Sequence, residues 1–282
     1  MASIETLIED INKYLESYQE VTLEQAQELA FFLSQVIVQK LSKYRPPSLS
    51  MSSIGKPARR LKFELEQPIK PSAKARLKFL YGDILEVLLL WLAKQAGHSV
   101  EQMQTEVSLK GVSGHNDAVI DGVLVDVKSC SPQSFKKFRM GTLPHNDPFG
   151  YLAQLSAYKD CLNTDRAAFF AVDKVSGEMC LYEPDPDFEL PDPAFTINRI
   201  TQSLLQDAKD LPKCYSDIEA GSSGNRKLDT GCKYCPYKRQ CWDNLRVFLY
   251  AKGPEYFTRV VKEPNKNIKE ITYDNEKTEE LE

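Results

Sequence analysis

The sequence of 282 residues lacks the long hydrophobic run that a membrane-spanning helix requires. Such a helix needs about 18 or more consecutive apolar residues, whereas the most apolar stretch, residues 84–93, is shorter and contains Glu86. The N-terminal segment also lacks the apolar core of a secretory signal and carries acidic residues early. We therefore expect a cytoplasmic protein with no membrane partner.

Positive charge is not in excess either, because 36 Lys and Arg residues face 40 Asp and Glu residues, for a net charge of −4. This balance excludes a protein that coats nucleic acid through bulk positive charge. It does not exclude an enzyme that acts on nucleic acid. Part of the acidic excess lies in the C-terminal tail, and a site that binds metal must itself be acidic.

Apolar periodicity and turn residues divide the chain into four regions. We predict an N-terminal helical region (1–50), a core (51–183), a C-terminal helical and cysteine-rich region (184–250) and a polar, mobile tail (251–282). In the first region, apolar spacing predicts helices at 4–17 and 23–43, and Thr22 with Gln25 fits a capping box. The prolines of 45–53 then predict a linker.

The core pattern predicts an α/β (α+β) fold of the order αβββαβ, a mixed sheet flanked by helices. A buried helix at 72–95 is followed by Gly97 as its stop signal. The remaining core elements are predicted as strands at 105–112, 115–120 and 123–129, a helix at 147–161, and strands at 167–172 and 179–182. Beyond the core we expect helices at 196–209 and 242–250.

Asp121-Gly122 between two apolar runs predicts a hairpin with a two-residue type I′ turn. That register sets Asp117 opposite Asp126 and places Lys128 on the same face, with His115 opposite Lys128. Like charges directly opposed destabilise a sheet, unless a cation lies between them. Hard oxygen ligands of this kind suit Mg²⁺ or Mn²⁺.

Glu86 interrupts an otherwise apolar helix, and a buried carboxylate is costly unless it is paired or binds metal. It is therefore a further candidate ligand. A lysine beside such a metal can orient or help deprotonate a water that attacks a phosphodiester. The Asp-x-Lys pattern by itself is also typical of an exposed hairpin with scattered charges. Gln154 and Tyr158 add a polar-aromatic stripe together with Tyr151, although core packing is the simpler explanation for either tyrosine taken alone.

Taken in order, Gly82-x-x-x-Glu86, Gly114-His-Asn-Asp117, Asp126-Val-Lys128 and Gln154-x-x-x-Tyr158 resemble the motif series of RecB-like nucleases. That group of the PD-(D/E)xK superfamily includes the Cas4 proteins, the AddB and Dna2 nuclease domains and related phage exonucleases. The resemblance covers roughly residues 50–245. It implies a divalent-metal-dependent DNA nuclease, most simply an exonuclease, in DNA repair, recombination or phage DNA metabolism, located in the host cytoplasm if phage-encoded.

The resemblance assigns a role to each motif residue. Asp117, Asp126 and the Val127 carbonyl would be metal ligands, Lys128 the catalytic lysine, and Gln154 and Tyr158 would support the site and contact the DNA backbone. Glu86 stands where many RecB-like enzymes have a histidine, which leaves open whether one or two metals bind. The implied partners are DNA, either single-stranded or double-stranded with ends, a recombination or repair protein, and a second copy in a homo-oligomer.

Four of the seven cysteines cluster in the C-terminal region, at Cys214, Cys232, Cys235 and Cys241. This set suits either tetrahedral Zn²⁺ or an iron-sulfur cluster. The stretch 231–241 resembles the end of the cluster motif in Cas4, AddB and Dna2, which implies a [4Fe-4S] cluster. In those proteins the first cysteine precedes the nuclease motifs, whereas here Cys214 would replace it, so Zn²⁺ stays an alternative.

Two other functions compete with a nuclease. A catalytically silent nucleic-acid-binding or assembly protein could keep this fold, although the intact Asp, Asp and Lys set favours catalysis. A zinc-ribbon regulator would explain the cysteines, but it would leave the opposed aspartates unexplained, and the acidic chain offers no identifiable recognition helix.

Overall fold

The computed structural model describes residues 2–42 and 46–271. Its helices are α1 (Leu7–Glu16), α2 (Leu23–Ser42), α3 (Ala58–Glu66), α4 (Ala73–Gln95), α5 (Pro132–Arg139), α6 (Tyr151–Leu162), α7 (Pro193–Ser203), α8 (Thr230–Lys233) and α9 (Lys238–Cys241). Its strands are β1 (Val100–Glu101), β2 (Glu106–Leu109), β3 (Val112–His115), β4 (Ala118–Ile120), β5 (Val123–Cys130), β6 (Ala167–Asp173), β7 (Met179–Tyr182), β8 (Ile218–Glu219), β9 (Arg226–Lys227), β10 (Arg246–Tyr250), β11 (Gly253–Arg259) and β12 (Lys269–Ile271).

The chain divides into two compact units. Unit 1 comprises the described residues up to Lys56 together with Lys70–Thr201, and unit 2 comprises Pro57–Ile69 and the described residues from Gln202 onward. The end of the predicted second helix, the start of the predicted linker and the tail segment 272–282 lie outside the described residues. Within the described ranges, no helix is both long and apolar enough to cross a bilayer.

Unit 1 is built on a mixed sheet with the strand order β1-β4-β5-β6-β7. The β5–β6 pair is parallel and the other neighbouring pairs are antiparallel. Val123, Val125 and Val127 of β5 pack with α1 and α4, whereas Leu124 and Cys130 pack with α5 and α6. Because side chains alternate along a strand, the even-numbered residues of β5 project on the α6 side. The predicted fold of a mixed sheet flanked by helices is confirmed.

The hairpin of β4 and β5 forms as the sequence predicts. Asp121 and Gly122 have φ angles of +49° and +81°, and positive φ at both central residues is what a type I′ turn requires. Ala118 pairs with Val125, in the predicted register. The ladder ends at this pair, so Asp117 stands just beyond it rather than in a regular pair with Asp126.

Helix α4 begins and ends at the predicted signals. The Ser72 hydroxyl accepts a hydrogen bond from the Ala75 amide at 3.2 Å, which caps the first turn. Gly97 adopts a φ of +95° just past the end of the helix, a backbone conformation that favours glycine. The following residue, His98, is buried, and its Nδ1 lies 2.6 Å from Asp121 Oδ2. The helix end is thereby tied to the β4–β5 turn.

Two parts of unit 1 differ from the prediction. Residues 105–112 do not form one strand, because Lys110 and Gly111 take positive φ angles and turn the chain into a separate β2–β3 hairpin. His115 consequently pairs with Glu106 and is exposed, so its predicted position opposite Lys128 is wrong. Helix α5 was not predicted, although Ser131 caps it and Pro132 occupies its first position, which are ordinary start signals.

Unit 2 contains a five-stranded sheet with the order β12-β10-β11-β9-β8. The helix predicted at 242–250 is wrong: residues 246–250 form β10, which pairs with both β11 and β12. A short apolar run such as this one fits either a helix or a strand. Pairing with strands that are distant in sequence makes it a strand here. Strands β11 and β12 likewise form where a polar tail was expected, and they bury Tyr256 and Ile271 in a small core.

Candidate active site

Strand β5 carries an ion pair between Asp126, which is buried, and Lys128, which is half-buried. Asp126 is only 1% exposed; its Oδ2 contacts Lys128 Nζ, whereas its Oδ1 accepts no hydrogen bond from the described residues. Burial raises the pKa of Asp126, and the Lys128 ammonium partly offsets this. Burial also acts to lower the pKa of Lys128, but the carboxylates of Asp126 and Asp117 outweigh it and hold that pKa above its ordinary value. Lys128 is therefore a cation at neutral pH.

Asp117 joins this pair from the segment that precedes β4. Its Oδ2 accepts a hydrogen bond from the Val127 amide at 2.7 Å, which fixes the carboxylate beside β5. Burial raises the pKa of Asp117 well above its ordinary value, and the neighbouring carboxylates of Glu86 and Asp126 raise it further. The three acidic side chains are thus close enough to repel one another.

Glu86 reaches the cluster from α4. Its Oε1 accepts a hydrogen bond from the Gln104 side chain at 2.6 Å. Burial raises the pKa of Glu86 to about 7, with further contributions from Asp126 and Asp83. Gly82, one turn earlier, lets α4 approach β5, because a Cβ at this position would lie 3.2 Å from Ser129 Oγ.

Helix α6 supplies the side chains predicted to support the site. Gln154 is 9% exposed and Tyr158 is 2% exposed, and a hydrogen bond joins them. Burial, with Asp126 and Asp117 close by, raises the pKa of Tyr158 and keeps its hydroxyl neutral. Gly114 is required beside them, because a Cβ there would lie 2.7 Å from the Tyr158 hydroxyl and 2.6 Å from Met51 Cβ.

Two residues at the cluster were not placed there from the sequence. Tyr151 contacts the cation directly, with Lys128 Nζ 4.8 Å from the ring centroid, and burial raises the pKa of Tyr151 to about 12. The helical spacing of Tyr151, Gln154 and Tyr158 was the available signal. Gln104 contacts Glu86, and its amide donates to the Asp117 carbonyl at 3.2 Å. No motif or residue spacing around Gln104 indicates that it lies at the site.

The acidic cluster has the donor chemistry of a divalent-metal site. It offers hard carboxylate oxygens, which Mg²⁺ and Mn²⁺ prefer. Neighbouring carboxylates help to raise the pKa values of Glu86 and Asp117, and Asp126 Oδ1 is buried without a hydrogen bond. As the side chains stand, no group of three or more His, Cys, Asp or Glu residues within 2–42 and 46–271 is arranged to hold a metal. Glu86, Asp117 and Asp126 each face a protein partner instead, so binding a cation would require them to rotate.

The four clustered cysteines lie in unit 2, where all of them line one pocket. The other lining residues are Arg60, Lys213, Tyr215, Gly231, Tyr237, Lys238 and Trp242. Burial raises the pKa of Cys232 to about 11, and the three neighbouring thiols add to this effect. The structure therefore gathers Cys214 with the other three cysteines in one pocket.

Comparison with known proteins gives one extensive match. Residues 19–242, well over half of the chain, match the family model described as PD-(D/E)XK nuclease superfamily. A search of curated protein sequences finds no significant match.

Several solved structures are distantly similar. The SSO0001 crystal structure is 17% identical over 76% of this chain and 96% of that chain, with a TM-score of 0.43. An alkaline exonuclease from Laribacter hongkongensis is 13% identical over 61% and 89%, with a TM-score of 0.31. A phage-related exonuclease from Haemophilus somnus is 10% identical over 71% and 88%, with a TM-score of 0.28. The family assignment does not depend on these distant likenesses.

The family match spans the mixed sheet, the acidic cluster and the lysine of β5. The chain therefore belongs to the PD-(D/E)XK nuclease superfamily.

Proposed function

We propose that this protein is a divalent-metal-dependent DNA nuclease. One observation carries the proposal: the carboxylate of Asp126, which is buried, and those of Glu86 and Asp117, which are half-buried, interact electrostatically with one another and with the cation of Lys128. Holding several like charges together away from water is costly, so a fold is expected to retain them only where a cation offsets the repulsion. A divalent metal supplies that cation and can also bind the anionic phosphodiester.

The metal would be Mg²⁺ or Mn²⁺, held by Glu86, Asp117, Asp126 and the Val127 carbonyl. When bound, such an ion lowers the pKa of a water molecule and neutralises charge on the phosphate. Because the pKa of Lys128 is raised, this residue acts as a fixed positive charge that stabilises the developing negative charge on phosphate oxygens. It does not act as a base in this state.

Helix α6 supports the same chemistry. Tyr158 keeps its proton, so its hydroxyl can donate a hydrogen bond to a phosphate oxygen of the DNA backbone. Gln154 bonds this hydroxyl and orients it. The motif resemblance to phage exonucleases favours an exonuclease that acts on DNA ends in repair, recombination or phage DNA metabolism.

The proposal is tested by digestion of labelled linear and circular DNA with Mg²⁺ or Mn²⁺. We expect Asp126→Ala and Lys128→Ala to abolish cutting, while His115→Ala, on the exposed hairpin, cuts like the wild type. An exonuclease degrades linear DNA and spares covalently closed circles. Undiminished cutting by Asp126→Ala and Lys128→Ala would refute the catalytic assignment, and a wild type that binds DNA without cutting it would favour the silent binding protein.

We also propose that Cys214, Cys232, Cys235 and Cys241 hold a [4Fe-4S] cluster, with Zn²⁺ as the alternative. Support comes from the shared pocket of the four side chains and from the spacing of the last three, which suits a thiolate-bound metal. The test is the visible absorption spectrum and the iron and zinc content of protein purified without oxygen. A broad band near ~400 nm with iron is expected, whereas colourless, zinc-loaded protein would replace the cluster with Zn²⁺.

A further inference from the structure

An exposed aromatic ring stands beside the candidate catalytic lysine. Phe149 is 45% exposed, and its ring stacks on Tyr151 with centroids 5.3 Å apart and planes 27° apart. Tyr151 in turn contacts Lys128, whose Nζ is 4.8 Å from the ring centroid. These two distances place the Phe149 ring within about 10 Å of Lys128 Nζ. That separation is roughly three stacked base steps of about 3.4 Å each.

Phe149 is held by a firmly bonded turn. Asp147 Oδ1 accepts hydrogen bonds from the amides of Gly150 and Tyr151 at 2.9 and 3.0 Å, and its Oδ2 accepts one from Leu152 at 2.9 Å. Gly150 has a φ of +76°, and a Cβ there would lie 2.3 Å from the backbone of Gly55. The turn therefore presents the ring in a fixed place, and little conformational entropy is lost when a ligand stacks on it.

Core packing accounts for the inner members of this aromatic cluster. Phe138 and Phe169, which surround Tyr151, are 2% and 0% exposed. Phe149 forms the outer end of the same cluster and leaves much of its ring in solvent. A flat apolar surface next to a fixed cation is complementary to a ligand that carries a flat ring and a negative charge. A nucleotide has both.

We propose that Phe149 is a base-stacking subsite that holds a nucleobase within about three nucleotides of the scissile phosphate and selects DNA in which that base is unpaired. The inference rests on the proposed nuclease function and specifies its substrate class. In the interior of a duplex, neighbouring pairs cover both faces of each base, so stacking of an interior base on Phe149 requires that base to leave the helix. A single strand or a frayed end allows this at much lower cost.

The test compares Phe149→Ala with Phe149→Trp, which keeps an aromatic face, and with Phe195→Ala, which removes an exposed phenylalanine elsewhere in unit 1. The substrates are a labelled single-stranded oligonucleotide, the same strand with one base-free site at successive positions, and a blunt duplex. We expect Phe149→Ala to raise the KM for the single strand roughly 5- to 150-fold, the range given by stacking of one base. Phe149→Trp and Phe195→Ala should stay near wild type.

The base-free site provides the decisive comparison. At one position, the base-free site should raise the KM of the wild type by about the same factor as the Phe149→Ala substitution does. The base-free site at that position should not raise the KM of Phe149→Ala any further. The same pattern should appear in the Kd of oligonucleotide binding measured in an Asp126→Ala background, which needs no catalysis. The stacking assignment is wrong if Phe149→Ala binds and cuts the single strand like the wild type. It is also wrong if the effects of the base-free site and of Phe149→Ala on KM multiply when the two are combined.

The outcomes separate this inference from the proposed function. Full activity in Asp126→Ala would overturn the nuclease site itself. Loss of activity in Asp126→Ala together with wild-type behaviour of Phe149→Ala would overturn only the stacking subsite. Circular dichroism and thermal melting of each variant show whether it folds, and Phe149→Leu, which keeps apolar volume without an aromatic face, replaces Phe149→Ala if the latter is unstable.

Discussion

Replacing Glu86 with glutamine should change how the stability of the metal-free protein depends on pH. Burial, together with Asp126 and Asp83, raises the pKa of Glu86 from its ordinary value of 4.5 to about 7. As the pH rises from about 4.5 to 7, the unfolded chain loses the Glu86 proton while the folded chain keeps it. The folded state therefore loses stability as the pH rises across this window.

The magnitude follows from the size of the pKa change. A rise from 4.5 to about 7 corresponds to roughly 3 kcal/mol of unfolding free energy lost by pH 8. For a unit of this size, each kcal/mol moves the melting temperature by roughly 2–4 °C. Glutamine cannot ionise, and it retains a side-chain oxygen that can accept the hydrogen bond from Gln104. At pH 8, Glu86→Gln should thus melt up to about 10 °C above the wild type, and at pH 4 the two should melt together.

Differential scanning calorimetry between pH 4 and 8, with a chelator present, measures this difference. Carboxylates that do not interact with Glu86 are common to both proteins and cancel in the comparison. Asp117, whose pKa Glu86 helps to raise, adds to the difference in the same direction. Glu106→Gln removes an exposed carboxylate from the β2–β3 hairpin and should follow the wild type throughout. Adding Mn²⁺ at pH 8 should stabilise the wild type more than Glu86→Gln.

Parallel melting curves for the wild type and Glu86→Gln across the whole pH range would contradict the argument. They would show that the Glu86 carboxylate is not under electrostatic strain in the absence of a cation. A wild type more stable than Glu86→Gln at pH 8 with chelator would contradict it more strongly, because an unmet negative charge would then be stabilising.

Two further predictions concern residues around the site. Gly114→Ala places a Cβ 2.6 Å from Met51 Cβ, so it should lower the unfolding free energy of unit 1 by about 1–3 kcal/mol, as overpacking does. An unchanged urea denaturation curve would contradict this clash. Asp147→Ala removes the side-chain acceptor of three amides at the start of α6. We expect it to lower the unfolding free energy by about 1 kcal/mol and to raise the KM for single-stranded DNA, and Asp147→Asn should show a smaller effect on both.

Local signals were sufficient for the elements that carry the site. The serine cap and the final glycine bounded α4, and Asp121-Gly122 set the register of β4 against β5. This register, counted from the turn, placed Asp126 and Lys128 on one face of β5. A single-residue error would have moved both to the opposite face, so the turn residues carried most of the prediction.

Other features depended on distant contacts that no local pattern encodes. Residues 246–250 form a strand because β11 and β12 pair with them, and the sequence between 242 and 250 is equally compatible with a short helix. His115 left the site because Lys110 and Gly111 turn the chain earlier than expected. Tyr151 had the spacing of an ordinary core residue, and only the packing of α6 against β5 brought it to Lys128.

The sequence by itself determined the mixed sheet, the acidic residues of the hairpin and the candidate lysine, because turn chemistry and side-chain alternation act over a few residues. The tertiary structure alone decided that the carboxylates of Glu86, Asp117 and Asp126 interact, that Gln104 contacts Glu86, and that the exposed Phe149 stacks on the tyrosine that contacts Lys128. The reason is physical. Electrostatic repulsion, burial and ring stacking depend on distances between side chains that are far apart in sequence, and only the packed chain fixes those distances.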